Sequence, residues 1–97
     1  MNFNQKVWQL LARIPSGKVT TYKIIAEKLG TKAYRAVGNA CKRNPNAPRV
    51  PCHRVIMSSG KLGGYTSSRS KSGMLRKEGI EIKNGRIDLK KYLYKFI

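Results

Sequence analysis

Two thiols and one imidazole are the side chains of this 97-residue chain best suited to covalent chemistry: Cys41, Cys52 and the single histidine, His53. Cys52 and His53 are adjacent, inside Val50-Pro51-Cys52-His53-Arg54-Val55-Ile56. A free thiol with a pKa of about 8.5 is only a few per cent thiolate at neutral pH. A neighbouring base, or a cationic group such as Arg54, raises that fraction. Successive side chains of extended backbone point to opposite faces, so His53 would reach Cys52 through a water or a sharp bend.

A histidine acting as a base needs an acceptor to orient it. The chain has four acids, Glu27, Glu78, Glu81 and Asp88. Glu27 falls on a lysine-rich helix and Asp88 reads as a helix cap, whereas Glu78 sits at a predicted helix end beside Gly79 and is the candidate orienting carboxylate. On the residues alone the alternatives stay open. Cys52 is either an activated nucleophile or a buried structural thiol beside an incidental histidine, and Glu78 could equally be a surface carboxylate paired with Arg76 or Lys77. Two cysteines and one histidine are too few for a four-ligand zinc site built from Cys and His alone, so neither metal nor other cofactor is expected.

These groups must be positioned by a small scaffold. Phe3, Val7, Leu10, Leu11 and Ile14 recur at helical spacing with Trp8 beside them, predicting a helix over 3–14 that Pro15-Ser16-Gly17 breaks. Lys18-Val19-Thr20 is at most a short extended piece. Thr20 or Thr21 can cap a second helix, about 21–29, with Ile24, Ile25 and Leu29 inward and Gly30 at its end. Thr31 can cap a third, about 32–43, whose inward stripe is Ala33, Ala36, Val37, Ala40 and Cys41. Two short helices joined at Gly30 make a helix-turn-helix candidate. The outer face of its second helix carries Lys32, Tyr34, Arg35, Asn39, Lys42 and Arg43, which suits DNA better than a merely solvated basic face.

Three prolines exclude helix over 44–51. Residues 58–64 read as a flexible glycine-serine loop. Residues 70–78 predict a helix with Met74 and Leu75 inward. Residues 80–87 predict a hairpin around Asn84-Gly85. Asp88 can cap a last helix holding Leu89, Tyr92, Leu93 and Phe96. The fold class expected is mainly α with a small β element, a winged-helix-like helix-turn-helix in one domain spanning 1–97.

Composition narrows the partner. Lys plus Arg number 21 against 4 acids, a formal net charge of +17. Self-repulsion on that scale usually implies a polyanionic partner, most often nucleic acid. No run of about 18 apolar residues exists, so no membrane partner is expected. The N-terminus lacks a signal-peptide pattern, which makes an intracellular protein the expectation. Intracellular thiols stay reduced, so no structural disulfide is expected.

Several ordered motifs then carry a resemblance. They are Val7-Trp8, the turn from Ile14 to Tyr22, Arg35-Ala36-Val37-Gly38-Asn39-Ala40, Asn44-Pro45, the segment Val50 to Ile56, Gly63-Gly64-Tyr65, and Leu75, Glu78 and Gly79. Over essentially its whole length the sequence resembles the O6-alkylguanine-DNA alkyltransferases, the methylated-DNA–protein-cysteine methyltransferases. The resemblance implies repair of O6-alkylguanine, with O4-alkylthymine as a further candidate, by irreversible transfer of the alkyl group to Cys52, once per molecule. It implies that His53 takes the thiol proton through water, that Glu78 orients His53, and that Asn44 braces this network. Tyr22 would help rotate the nucleotide at its phosphate, and Arg35 would fill the space left in the duplex. Ala36, Gly38 and Asn39 would lie against the DNA. Tyr65 would hold the base and neutralise the leaving guanine, while groups near Cys52, Val55 and Thr66 would read its edge. The implied partner is double-stranded DNA, bound by a monomer in the cytoplasm, or in the nucleus of a eukaryote.

Three departures stand out. The family's usual separate N-terminal domain is not expected here. Thr66-Ser67-Ser68-Arg69 replaces a Gly-Gly-Leu-type loop and is one residue shorter, which bears on pocket size. Gly73 stands where a bulky aromatic is common. Cys41, on the helical stripe, reads as core, and oxidation linking it to Cys52 is a weaker alternative. Two rival readings remain: a non-catalytic alkyltransferase-like protein that only flags lesions, a group in which the cysteine is replaced, and a plain helix-turn-helix DNA-binding protein.

Overall fold

The computed structural model describes residues 1–47, 49–63 and 71–96. Among these residues, five helices and two small two-stranded sheets follow one another as α1 (Phe3–Leu11), β1 (Thr20–Thr21), α2 (Tyr22–Lys28), α3 (Tyr34–Lys42), β2 (Val55–Ile56), α4 (Lys71–Lys77), β3 (Ile82–Lys83), β4 (Arg86–Ile87) and α5 (Leu89–Tyr92), with a 3₁₀ turn at Cys52–Arg54 just before β2.

Helix α1 starts at a capping box. The Asn2 side chain accepts from the Gln5 N–H at 2.8 Å, and the Gln5 side chain accepts from the Asn2 N–H at 3.1 Å. Val7, Leu10 and Leu11 face the core as their spacing requires. The helix stops at Leu11, short of the expected Ile14, because Arg13 and Ile14 bond back to Leu10 and Leu11, three residues away rather than four. Ile14 is nonetheless buried. The Trp8 indole donates to the Ala40 carbonyl at 2.7 Å and locks α1 across α3.

Thr21 caps α2, accepting from the Ile24 N–H at 3.1 Å. Helix α3 begins two residues later than the sequence suggests. Thr31 accepts from the Ala33 N–H at 3.1 Å, which closes a turn ahead of the helix, and the cap position falls to Ala33, which makes no side-chain bond. Its buried residues are Val37, Gly38, Ala40 and Cys41, while Ala33 is exposed and Ala36 half-buried. The inward stripe is thus turned slightly from the one expected, and Gly38 takes part in it.

Non-local pairing supplies the rest. Strands β1 and β2 pair in parallel, Thr20 opposite Val55 and Thr21 opposite Ile56. The hairpin forms as expected, with Ile82 opposite Ile87 and Asn84 and Gly85 both at positive φ, 53° and 74°. Asp88 caps α5, accepting from the Lys90 N–H at 2.9 Å. The last helix is only Leu89–Tyr92, far shorter than expected. The Val19 N–H bonds to the Tyr92 carbonyl at 2.9 Å and the Tyr94 N–H to the Val19 carbonyl at 2.7 Å, so pairing with Val19 straightens the chain at Leu93. The 58–63 segment is less a flexible loop than a closed turn: Met57 bonds to Lys61 at 2.8 Å and Gly60 back to Met57 at 2.9 Å.

Two cores result. One gathers α1, α2, α3 and Cys52; the other gathers Val19, Ile56, Leu75, Ile80, Ile87 and Tyr92. No helix among the described residues is long and apolar enough to cross a membrane.

Candidate active site and DNA-facing surface

The segment from Asn44 to Ile56 delivers Cys52 to the junction of the two cores. The Asn44 amide donates to the Val50 carbonyl at 2.6 Å, and its oxygen accepts from the Asn46 N–H at 3.0 Å. Pro51, at φ −84° and ψ 72°, then closes an inverse γ-turn in which the Cys52 N–H reaches the Val50 carbonyl at 2.9 Å. One 3₁₀ turn follows, so Cys52 and His53 are not on opposite faces of a strand. Both residues are 4% exposed.

His53 and Glu78 meet, with Nε2 2.7 Å from the carboxylate. Beside a carboxylate that nitrogen is assigned the proton. Nδ1 is then the accepting nitrogen; it is buried and has no hydrogen-bond partner among the described residues. The carboxylate is held further by Arg54, whose Nε lies 2.9 and 3.1 Å from its two oxygens and whose Nη2 lies 2.8 Å from one, and by the Gly17 N–H at 3.2 Å. Burial pushes the Glu78 carboxyl up, but the hydrogen bonds from Arg54, His53 and Gly17, with the Arg54 charge, outweigh it and hold the group below the usual carboxylate value. Glu78 therefore pairs with His53 and Arg54 rather than with its sequence neighbours Arg76 and Lys77.

Arg54 corrects one expectation. Its guanidinium does not serve the thiol. It clamps Glu78 and donates through Nη1 to the Ile14 carbonyl at 2.7 Å, tying the end of the α1 turn to the site. A fork of donors fits a carboxylate better than a single sulfur.

The cation near the thiols is Lys71, which the sequence reading passed over. It lies four residues before Leu75, on the same inward face of α4, and is 6% exposed. Its Nζ donates to the Tyr22 hydroxyl at 3.2 Å and sits 5.6 Å from the centre of that ring. Burial pulls its pKa down to about 8, and the nearby Cys41 and Cys52 partly oppose that. Burial pushes the Cys41 thiol up to about 12, Cys52 adding to the rise and Lys71 opposing it. Cys41 is thus an inert, neutral core thiol at physiological pH. A lysine at i, i+4 from a buried leucine was the available signal.

The surface beside this cluster is basic. Arg35, Asn39, Lys32, Lys42 and Arg43 are exposed and Tyr34 is 41% exposed, while Ala36 is half-buried and Gly38 buried. Tyr22 is buried at the start of α2 and lines a shallow cavity of about 180 Å³ with Lys23, Tyr34, Met57 and Ser58. Gly63 closes over it, at φ +78° and so near that a Cβ would stand 3.2 Å from the Tyr22 hydroxyl. Val55 is buried in β2. Tyr65 and Thr66 lie outside the described residues. Among the described residues no group of three or more His, Cys, Asp or Glu is placed to hold a metal ion.

Comparison with known proteins identifies the family. The family model for the 6-O-methylguanine DNA methyltransferase DNA binding domain matches residues 2–80. A bifunctional methyltransferase/endonuclease of Picrophilus torridus is 50% identical over 90 residues, covering 91% of this chain and 30% of that protein. A methylated-DNA–protein-cysteine methyltransferase of Methanosarcina barkeri is 55% identical over 67 residues, covering 68% of this chain and 42% of that protein. The Atl1 protein of S. pombe, solved in complex with damaged DNA containing O6-carboxymethylguanine, superposes with a TM-score of 0.85 at 34% identity and covers 97% of this chain and 95% of its own. The OGT of Mycobacterium tuberculosis in complex with DNA superposes with a TM-score of 0.74 at 46% identity, covering 80% of this chain and 50% of its own. The chain spans about a third to a half of the length of the curated relatives it matches. With the family model matched over residues 2–80 and a helix-turn-helix among the described residues, one assignment is left: the chain belongs to the 6-O-methylguanine DNA methyltransferase family, in its DNA-binding domain.

Proposed function

We propose that this chain repairs duplex DNA by transferring an alkyl group from O6 of guanine to Cys52, once per molecule, and that residues 1–97 suffice for it. The observation that carries the reading is the His53 ring, on the residue after Cys52, with Nε2 bonded to Glu78 at 2.7 Å and Nδ1 left as a buried acceptor with no partner among the described residues. Through a water, Nδ1 takes the Cys52 proton, and Glu78 stabilises the imidazolium that forms. The thiolate attacks the alkyl carbon, the S–C bond forms as the C–O6 bond breaks, and the electron pair leaves with the guanine, which is then protonated. The thioether has no leaving group, so the protein is consumed. O4-alkylthymine is the second candidate substrate.

A base can reach a buried thiol only after leaving the stack, at a cost of a few kcal/mol. Phosphate contacts by a chain of net charge +17 supply binding free energy against that cost. In this reading Arg35, exposed near the start of α3, enters the vacated space from the minor groove, with Ala36, Gly38 and Asn39 along the same helix. Tyr22 turns the nucleotide, Asn44 fixes the loop that carries Cys52, Val55 offers backbone to the base edge, and Tyr65 and Thr66 complete the pocket. The chain acts as a monomer.

The near full-length likeness to Atl1 favours a second reading, in which the domain binds an alkylated base without accepting the group. Cys52 next to an oriented histidine speaks for transfer. Duplex DNA carrying O6-methylguanine, incubated with the protein and followed by intact-protein mass, separates the two. Transfer gives one methyl-sized gain mapped to Cys52 together with restored guanine. Tight binding with no mass gain supports lesion binding alone. Cys52→Ser should abolish the gain and keep DNA affinity within a few-fold.

A further inference from the structure

The β3–β4 hairpin carries charge that the site leaves unused. Lys83 on β3 stands opposite Arg86 on β4, and Arg86 in turn stands opposite Lys61 in an isolated antiparallel bridge. Residues directly opposite in an antiparallel pair share a face, with Cβ atoms about 4.5–5.5 Å apart. Lys61, Arg86 and Lys83 therefore form one row of cations, about 10 Å from end to end. All three are exposed. The other face of the hairpin carries Ile82 and Ile87, which pack into the second core. Gly60 sets the row against the turn that precedes it. Its carbonyl accepts from the Ile87 N–H at 2.9 Å, and a Cβ on it would stand 2.9 Å from the Ile87 carbonyl oxygen.

Like charges directly opposite one another destabilise a ladder. Lys83 has a partial answer in Glu81 at 3.1 Å, but both side chains are more than half exposed, so the pair adds little. Asp88 is engaged as the cap of α5. The side chains of Lys61 and Arg86 have no hydrogen bond or ion pair among the described residues. The row also continues toward the basic face of α3. The turn that ends at Lys61 sets Met57 and Ser58 beside Tyr22, Lys23 and Tyr34, and Tyr34 opens α3 immediately before Arg35. We propose that Lys61, Arg86 and Lys83 form a second duplex contact, which holds the phosphates of one DNA strand beyond the recognition helix. A row of about 10 Å matches the axial run of about three phosphates on one strand. Contacts of this kind add affinity and fix orientation without reading sequence. Two of the three cations lie after residue 80, where the family match ends. The inference rests on the duplex binding of the proposed function and not on transfer to Cys52.

The test is binding of a fluorescein-labelled duplex carrying O6-methylguanine, followed by anisotropy between about 0.05 and 0.5 M salt. Three chains are compared: the wild type, a row triple (Lys61→Gln, Lys83→Gln, Arg86→Gln), and a control triple that loses the same charge elsewhere (Lys6→Gln, Lys77→Gln, Lys95→Gln), at exposed positions on α1, α4 and the C-terminal segment. Each lost phosphate contact lowers the slope of log K against log salt by about 0.9. The row triple should lower it by about 2–3 and weaken binding at least about tenfold at 0.1 M salt. The control triple should lower it by less than about one. Equal slopes in the two triples assign the effect to overall charge and overturn the proposal, as does a wild-type slope in the row triple. If thermal melts show that the row triple does not fold, Arg86→Gln alone decides: a slope lower by about one supports the contact, and a wild-type slope overturns it. If the wild type transfers no methyl group while the difference between the triples persists, transfer to Cys52 fails and the row stands as a DNA contact.

Discussion

Replacing Glu78 by Gln tests the central cluster with the least change in shape. The carboxylate accepts from Arg54, His53 and Gly17, all between 2.7 and 3.2 Å. A glutamine offers one accepting oxygen and turns an NH₂ toward either Arg54 or His53, which are donors. One donor is left unpaired, and the guanidinium loses its counter-charge. Breaking a fully buried ion pair costs about 3–5 kcal/mol. The side chains here are 17% and 13% exposed, which lets water soften the loss, so about 2–3 kcal/mol is expected. Urea melts at pH 7 measure it. The sign with pH is fixed, because the folded carboxyl lies below its unfolded value. Its contribution is fully present above the unfolded pKa, about 4.3 for glutamate, and is lost as pH falls through the folded value. The gap between wild type and Glu78→Gln should therefore be constant from pH 6 to 8 and shrink below about pH 4. Single-turnover methyl transfer should fall on the order of tenfold or more, since a neutral amide does not stabilise imidazolium. Wild-type stability together with wild-type transfer, or a stability gap that widens on acidification, would refute the reasoning.

Other expectations follow from single contacts. Lys71→Met should raise the unfolding free energy at pH 7 by about 2 kcal/mol, because a fall in pKa from 10.5 to about 8 reports about 3 kcal/mol of burial cost, less about 1 for the lost bond to Tyr22. The wild type should itself gain stability between pH 8 and 10.5, where only the unfolded chain binds that proton; denaturant melts across this window check both. Gly63→Ala should destabilise by at least about 1 kcal/mol, since φ is +78° and the new Cβ would stand 3.2 Å from the Tyr22 hydroxyl, and thermal melts measure it. Arg35→Ala should slow transfer from duplex more than from free O6-methylguanine; equal losses on both would remove the role given to Arg35.

What could be read from the residues was local. Asn84-Gly85 encodes its own turn, Asp88 its own cap, and the spacing of Val7, Leu10 and Leu11 its own inward face. His53 and Glu78 were picked out by residue type, and the two side chains do meet, at 2.7 Å. Pairings between distant segments were not legible. Two-residue strands such as Thr20–Thr21 carry no periodicity, so their partnership with Val55–Ile56 leaves no trace in sequence. The same holds for Val19, which straightens the chain at Leu93 and cuts the last helix short. Arg54 was assigned to the thiol because they are neighbours in sequence, yet a planar fork binds the carboxylate 24 residues away. Lys71 was missed because a lysine is by default read as solvated.

The Arg54–Ile14 and Glu78–Gly17 bonds span 40 and 61 residues, and this bears on when His53 becomes oriented during folding. Cys52 is synthesised well before Glu78, and a nascent or half-folded chain has a thiol without an oriented base. The imidazole is aligned only when the last quarter of the chain docks against the first. Under the proposed single transfer to Cys52, the chain would hold an oriented base for its one reaction only after these distant segments have met.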